Sequence, residues 1–106
     1  MFKEVCKELF DFVADSPTAF HTVLSVSGML EAAGYTRLLE NEAWKLQAGG
    51  KYFCTRNGTS VIAFSYPRDS FKTFSVVAPH GDSPTFKIKE NPEMRGEGYT
   101  RLNTEV

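Results

Sequence analysis

Residues 51–66 read KYFCTRNGTSVIAFSY, and their pattern decides the fold. Two runs rich in Tyr, Phe, Val and Ile flank Asn57-Gly58, a dipeptide whose tolerance of positive φ suits a two-residue type I′ turn. The stretch therefore predicts a β-hairpin. Just upstream, "QAGG" (Gln47–Gly50) reads as the turn leading into it, while "YTRLL" (Tyr35–Leu39) and "AWKL" (Ala43–Leu46) read as short strands.

Further towards the N-terminus the period changes from extended to helical. Phe2, Val5, Cys6, Leu9, Phe10 and Val13 recur at three-and-four spacing, with Lys3, Glu4, Lys7, Glu8 and Asp11 between them, which predicts an amphipathic helix. It should stop near "DSP", because Pro17 disfavours helical geometry at the residue before it. Ser16 is then expected as N-cap and Pro17 as first residue of a second helix. That helix carries Phe20, Val23, Leu24 and Leu30 and ends at Gly34, a residue suited to the left-handed position after a helix. Gly28 is a candidate close-packing position within it. The two form a helical hairpin.

Downstream, Pro67–Ser70 reads as a turn and "FKTFSVVAP" (Phe71–Pro79) as a strand. The consecutive apolar residues Val76, Val77 and Ala78 fit a central strand covered on both faces. "TFKIKE" alternates Phe86 and Ile88 with Lys87 and Lys89, as a strand with one solvated face does. "NPEMRGEG" (Asn91–Gly98) reads as a loop and "YTRLNTEV" as a last extended segment. The fold class expected is α/β: an N-terminal helical hairpin packed on a mixed β-sheet that contains a hairpin.

Composition bounds the function. The 106 residues are 42% hydrophobic and 13% aromatic, with nine Phe, enough for an ordered core. Twelve basic against thirteen acidic residues give a net charge of −1, so neither nucleic acid nor an anionic membrane is an expected partner. No apolar run approaches the roughly 18 residues of a membrane-spanning helix. The N-terminus lacks the apolar core of a signal peptide, which places the protein in the cytoplasm, where Cys6 and Cys54 are expected as buried, reduced thiols.

One constellation carries chemistry. "APHGDSP" sets His80 and Asp82 two residues apart after an apolar run, a spacing that brings both to one side of an extended chain. Imidazole is a good ligand for zinc, and a neighbouring carboxylate orients it. Alone the pair fits a polar surface turn equally well, with Gly81 and Pro84 favouring irregular backbone. Against that, the carboxyl end of a buried strand is where open α/β sheets place their sites. His21 reads as a packed or solvent-facing histidine, Cys54 as core, and Lys87 and Lys89 as a solvated face. Nothing in the spacing of Glu90, Glu93, Glu97 and Glu105 singles out a general base.

The segments "SPTAFHTV" (Ser16–Val23), "LEAAGYTRLLE" (Leu30–Glu40), "WKLQAGGKYFCTRNGTSVIAF" (Trp44–Phe64), "APHGDSPTFKIKENPEM" (Ala78–Met94) and "YTRLNTE" (Tyr99–Glu105) together resemble the amino-terminal part of the M18 metallopeptidases, the aspartyl aminopeptidase family. The resemblance implies a two-metal, usually zinc, active site that removes N-terminal residues, often Asp or Glu, from peptides, and homo-oligomeric assembly. It makes His80, in the H-x-D-S-P motif, a metal ligand and Asp82 the catalytic supporting carboxylate. It implies metal-assisted hydrolysis with a glutamate base from a later motif.

The remaining ligands of the family pattern fall beyond Val106. Residues 1–106 are therefore expected to be an amino-terminal fragment of the catalytic domain, to need the remainder of that domain as a partner, to bind zinc weakly or not at all, and to be inactive alone. A standalone, non-catalytic binding or assembly module derived from the same lobe is the alternative. A two-metal deacylase of N-acyl amino acids is a third reading.

Overall fold

A computed structural model describes residues 1–106, as two helices and five strands in the order α1 (Phe2–Ala14), α2 (Ala19–Ala32), β1 (Thr36–Arg37), β2 (Lys51–Arg56), β3 (Ser60–Ser65), β4 (Lys87–Gly96) and β5 (Tyr99–Glu105). The fold class is the expected one, α/β with helices on a mixed sheet. β1 runs parallel to β2, and β2 pairs antiparallel with β3, in the order β1-β2-β3. β4 and β5 form a separate antiparallel pair.

α1 stops where the proline rule puts it, with Asp15 as C-cap. The start of α2 differs from expectation. Thr18, in extended backbone at φ −135°, is the N-cap, and its hydroxyl accepts from His21 N–H at 3.4 Å. Ser16 is instead buried, its hydroxyl without a partner, because the backbone turns at Thr18 and not before Pro17. At the other end, Gly34 at φ +81° closes α2 as expected. Gly34 N–H donates to Glu31 O at 3.0 Å and Tyr35 N–H to Leu30 O at 2.9 Å, the paired bonds of a Schellman ending. Gly28 meets open space within 4 Å, so it is not a close-packing position in this chain.

The hairpin read from Asn57-Gly58 forms, with both residues at positive φ (52° and 67°). Thr59 N–H donates to Arg56 O at 3.1 Å across the turn. Arg56 pairs with Ser60, so Thr59 joins the loop, which is one residue longer than expected. β2 holds the core. Phe53 is fully buried, Tyr52 and Cys54 nearly so, and α2 adds Val23 and Ser27. α2 packs against the β1–β3 sheet.

The other face of that sheet is covered by residues 39–50. "AWKL" is not a strand: Trp44 Nε1 donates to Leu39 O at 2.9 Å, and its ring stacks on Phe64 with centroids 6.2 Å apart. Side-chain anchoring of this kind holds a covering loop without a ladder. Tyr52 OH accepts from Gln47 N–H at 2.8 Å. Gly50 lies so close to the Tyr52 ring that a Cβ there would overlap it.

Beyond Tyr66 the expectations change most. Val76, Val77 and Ala78 form no strand, and Val76 and Val77 are 80% and 90% exposed. A strand exists only against a partner, and every strand of this chain pairs elsewhere. Conversely, Asn91–Gly96, read as loop, lies within β4. Pro92 is accommodated because the β4–β5 register shifts between Ile88 and Glu93, a bulge where no ladder N–H is required. The missed signal was Glu97-Gly98, whose φ values of 45° and 79° make it the two-residue turn between Gly96 and Tyr99.

The radius of gyration is 19.6 Å, against about 13 Å for a compact domain of about 100 residues. The 106 residues are thus not one closed globule. α1 leaves Phe2, Val5, Leu9 and Phe10 exposed. β3, at the end of the sheet, carries no charge and no proline along Ser60–Ser65. Cys6 and Cys54 are free, Cys54 buried and Cys6 half-buried. No helix is long and apolar enough to cross a membrane.

Candidate metal centre

His80 and Asp82 come together. In the irregular segment between β3 and β4, His80 Nδ1 lies 2.6 Å from Asp82 Oδ1 and 3.3 Å from the Asp82 carbonyl oxygen. Both side chains are solvent-facing, 82% and 61% exposed. Asp82 can only accept when ionised, so the hydrogen on Nδ1 donates to it and the lone pair is left on Nε2. That is the polarity of a carboxylate-oriented histidine whose other nitrogen is available to a metal.

The donor set around it is short. No three His, Cys, Asp or Glu residues converge anywhere in the chain, whereas zinc is held by three or more protein ligands. The pair therefore fits one corner of a zinc site and not a whole one.

The other candidates are committed elsewhere. His21 Nδ1 lies 2.8 Å from Thr18 Oγ1, as part of the α2 cap. Lys87 Nζ pairs with Glu105 at 3.4 Å across β4 and β5, and Glu93 with Arg95 at 3.7 Å. Cys54 lines an open groove of about 320 Å³ with Glu40, Trp44, Arg56 and Ile62. Arg56 Nε and Nη2 both donate to Glu40 Oε1, at 2.9 and 2.6 Å. That hydrogen bond, with the guanidinium charge behind it, lowers the Glu40 carboxyl pKa. The pair clamps the loop after β1 to the end of β2, and sequence spacing gave no hint of it.

A family model described as aminopeptidase I zinc metalloprotease (M18) matches residues 12–106. The chain belongs to the M18 peptidase family. It is 44% identical over 108 residues to a probable M18 family aminopeptidase 2 of Pseudomonas paraeruginosa, covering 100% of this chain and 25% of that protein. The corresponding protein of Clostridium novyi is 44% identical over 105 residues, with 93% and 24% covered. The chain thus spans about a quarter of the length of these curated relatives.

Two solved structures share the fold. One, described as a cryo-EM structure of the Ape4 and Nbr1 complex, matches with a TM-score of 0.89 and 34% identity over 97% of this chain and 20% of that one. The other, Chaetomium thermophilum mApe1, matches with a TM-score of 0.83 and 36% identity over 92% of this chain and 23% of that one.

Proposed function

We propose that these residues form the amino-terminal part of a zinc-dependent aminopeptidase catalytic domain, with His80 Nε2 as a metal ligand and Asp82 as the carboxylate that orients it. The supporting observation is the 2.6 Å contact between His80 Nδ1 and Asp82 Oδ1, which leaves Nε2 free. A pair of bound zinc ions supplies polarisation of the scissile carbonyl and acidification of the attacking water. This chain's own part is to hold the imidazole in one tautomer and one orientation. Asp82 does so through its hydrogen bond, and ligand basicity rises with it.

The substrate class is peptides with a free N-terminus, acidic N-terminal residues preferred, by relation to the family. The remaining ligands come from the rest of the catalytic domain, and the whole protein is a homo-oligomer in this reading. The shortage of converging donors supports inactivity of residues 1–106 alone.

The test has two parts. Residues 1–106 with added zinc or cobalt should give no turnover of an N-terminal Asp-nitroanilide; metal-dependent turnover would refute the fragment reading. In the full-length polypeptide, His80→Ala should lose zinc and activity together, and Asp82→Asn should lose activity by about 10–100-fold with folding retained. Full zinc occupancy and rate in the His80 variant would remove the ligand assignment.

A further inference from the structure

The loop that carries His80 and Asp82 meets the helical half of the chain at Gly81. A Cβ built at Gly81 would lie 3.9 Å from Thr22 Cγ2, an ordinary van der Waals separation. Gly81 is not among the positive-φ residues, so its backbone does not itself demand glycine.

Thr22 is in the first turn of α2 and half-buried. Its backbone N–H and its hydroxyl converge on one acceptor, the Thr18 carbonyl, at 2.9 and 3.1 Å. A helical threonine otherwise divides between two χ1 wells, and a hydroxyl bond to the carbonyl one turn back selects between them. The hydroxyl is thereby turned back along the helix and the methyl is left facing Gly81. Thr18 is itself held as the N-cap through His21 N–H and Nδ1.

We propose that Thr22 is a positioning residue: its methyl is the floor on which the His80–Asp82 loop rests. Gly81 lies between the two functional residues, so a displacement of its peptide moves the imidazole and the carboxylate together. The inference rests on the reading of His80 as a zinc ligand. It assigns the threonine a role through packing, with no contact to metal or substrate.

Two substitutions in the full-length polypeptide separate methyl from hydroxyl. Thr22→Ser keeps the bond to Thr18 and deletes the methyl; Thr22→Val keeps the methyl and deletes the hydroxyl, and valine holds one dominant rotamer in a helix. Zinc affinity is measured by competition with a chelator, and Tm is measured on the same samples.

Thr22→Ser should raise the zinc Kd about threefold to tenfold, less than loss of a group bonded directly to a ligand, while Tm stays at the parent value. Thr22→Val should bind zinc within about twofold of the parent. Parent-like zinc binding by Thr22→Ser overturns the proposal, as does an equal weakening in Thr22→Val, or a fall in Tm without a change in Kd. His80→Ala run alongside separates the two readings. If it loses zinc while Thr22→Ser does not, only the floor has failed; if it keeps its zinc, the ligand reading has failed and the floor with it.

Discussion

Residues 16–66 and residues 71–106 are built on opposite terms. The first region contains every buried residue of the chain: Ser16, Val23, Ser27, Tyr52, Phe53 and Cys54. The second contains none, although it has two regular strands and the candidate zinc ligand. A sheet with a helix on one face and the Trp44 loop on the other brings its own core. The β4–β5 pair is a lone hairpin, and a two-stranded hairpin in water is marginal by itself. The difference teaches that hydrogen-bonded ladders and stability are separate properties: the second region has the first without the second.

The largest test of that contrast sets Phe53 against Val77. Phe53→Ala should cost about 3–5 kcal/mol in denaturant unfolding of the chain, by removing a fully buried ring. Val77→Ala, at a position 90% exposed, should stay within about 0.5 kcal/mol. Equal losses would mean that the second region carries packing of its own.

Smaller in effect is a pair of glycines. Gly50→Ala drives a methyl into the Tyr52 ring and should destabilise by about 1–3 kcal/mol. Gly96→Ala, in β4 with nothing within 4 Å and no positive φ, should change the unfolding midpoint little. A neutral Gly50→Ala would show that the Trp44 loop yields and does not fix the sheet's second face.

The smallest expected effect is electrostatic. Glu40 is held below the usual carboxylate range by its hydrogen bond from Arg56. A depressed carboxylate pKa favours the folded state above the ordinary carboxylate pKa, and that contribution is lost as pH falls through the depressed value. Arg56→Gln should therefore move the Glu40 titration upward, read from its side-chain carbon shift in NMR. No movement would mean that solvent already screens the pair.

The same division explains what was legible in the sequence. Features with local causes were read well: the α1 stripe, Gly34 after α2, the Asn57-Gly58 turn and the His80–Asp82 spacing each depend on residues within one turn of one another. Errors arose where a neighbour distant in sequence decides. Val76–Ala78 has the composition of a central strand, but pairing needs a second strand. Asn91-Pro92 has turn chemistry, yet β5 places it inside a strand at a bulge. Trp44 sits in a strand-like pattern, while Phe64, on the far side of the hairpin, fixes what its ring does. The α2 cap was missed by two residues because Ser16 satisfies the usual Ser-Pro signature and Thr18 makes the bond. Within the site, spacing put His80 beside Asp82. Only coordinates give the 2.6 Å contact and the approach of Thr22 to Gly81.

The uncharged margin of β3 has a consequence in time. Six residues without lysine, proline or a bulge present open backbone donors and acceptors to any extended segment that arrives, whether from the same molecule or another. The hazard is greatest in dilute denaturant or at high concentration during refolding, when a wrong strand can reach the edge before the right one. For this strand, speed of capture matters as much as depth of burial.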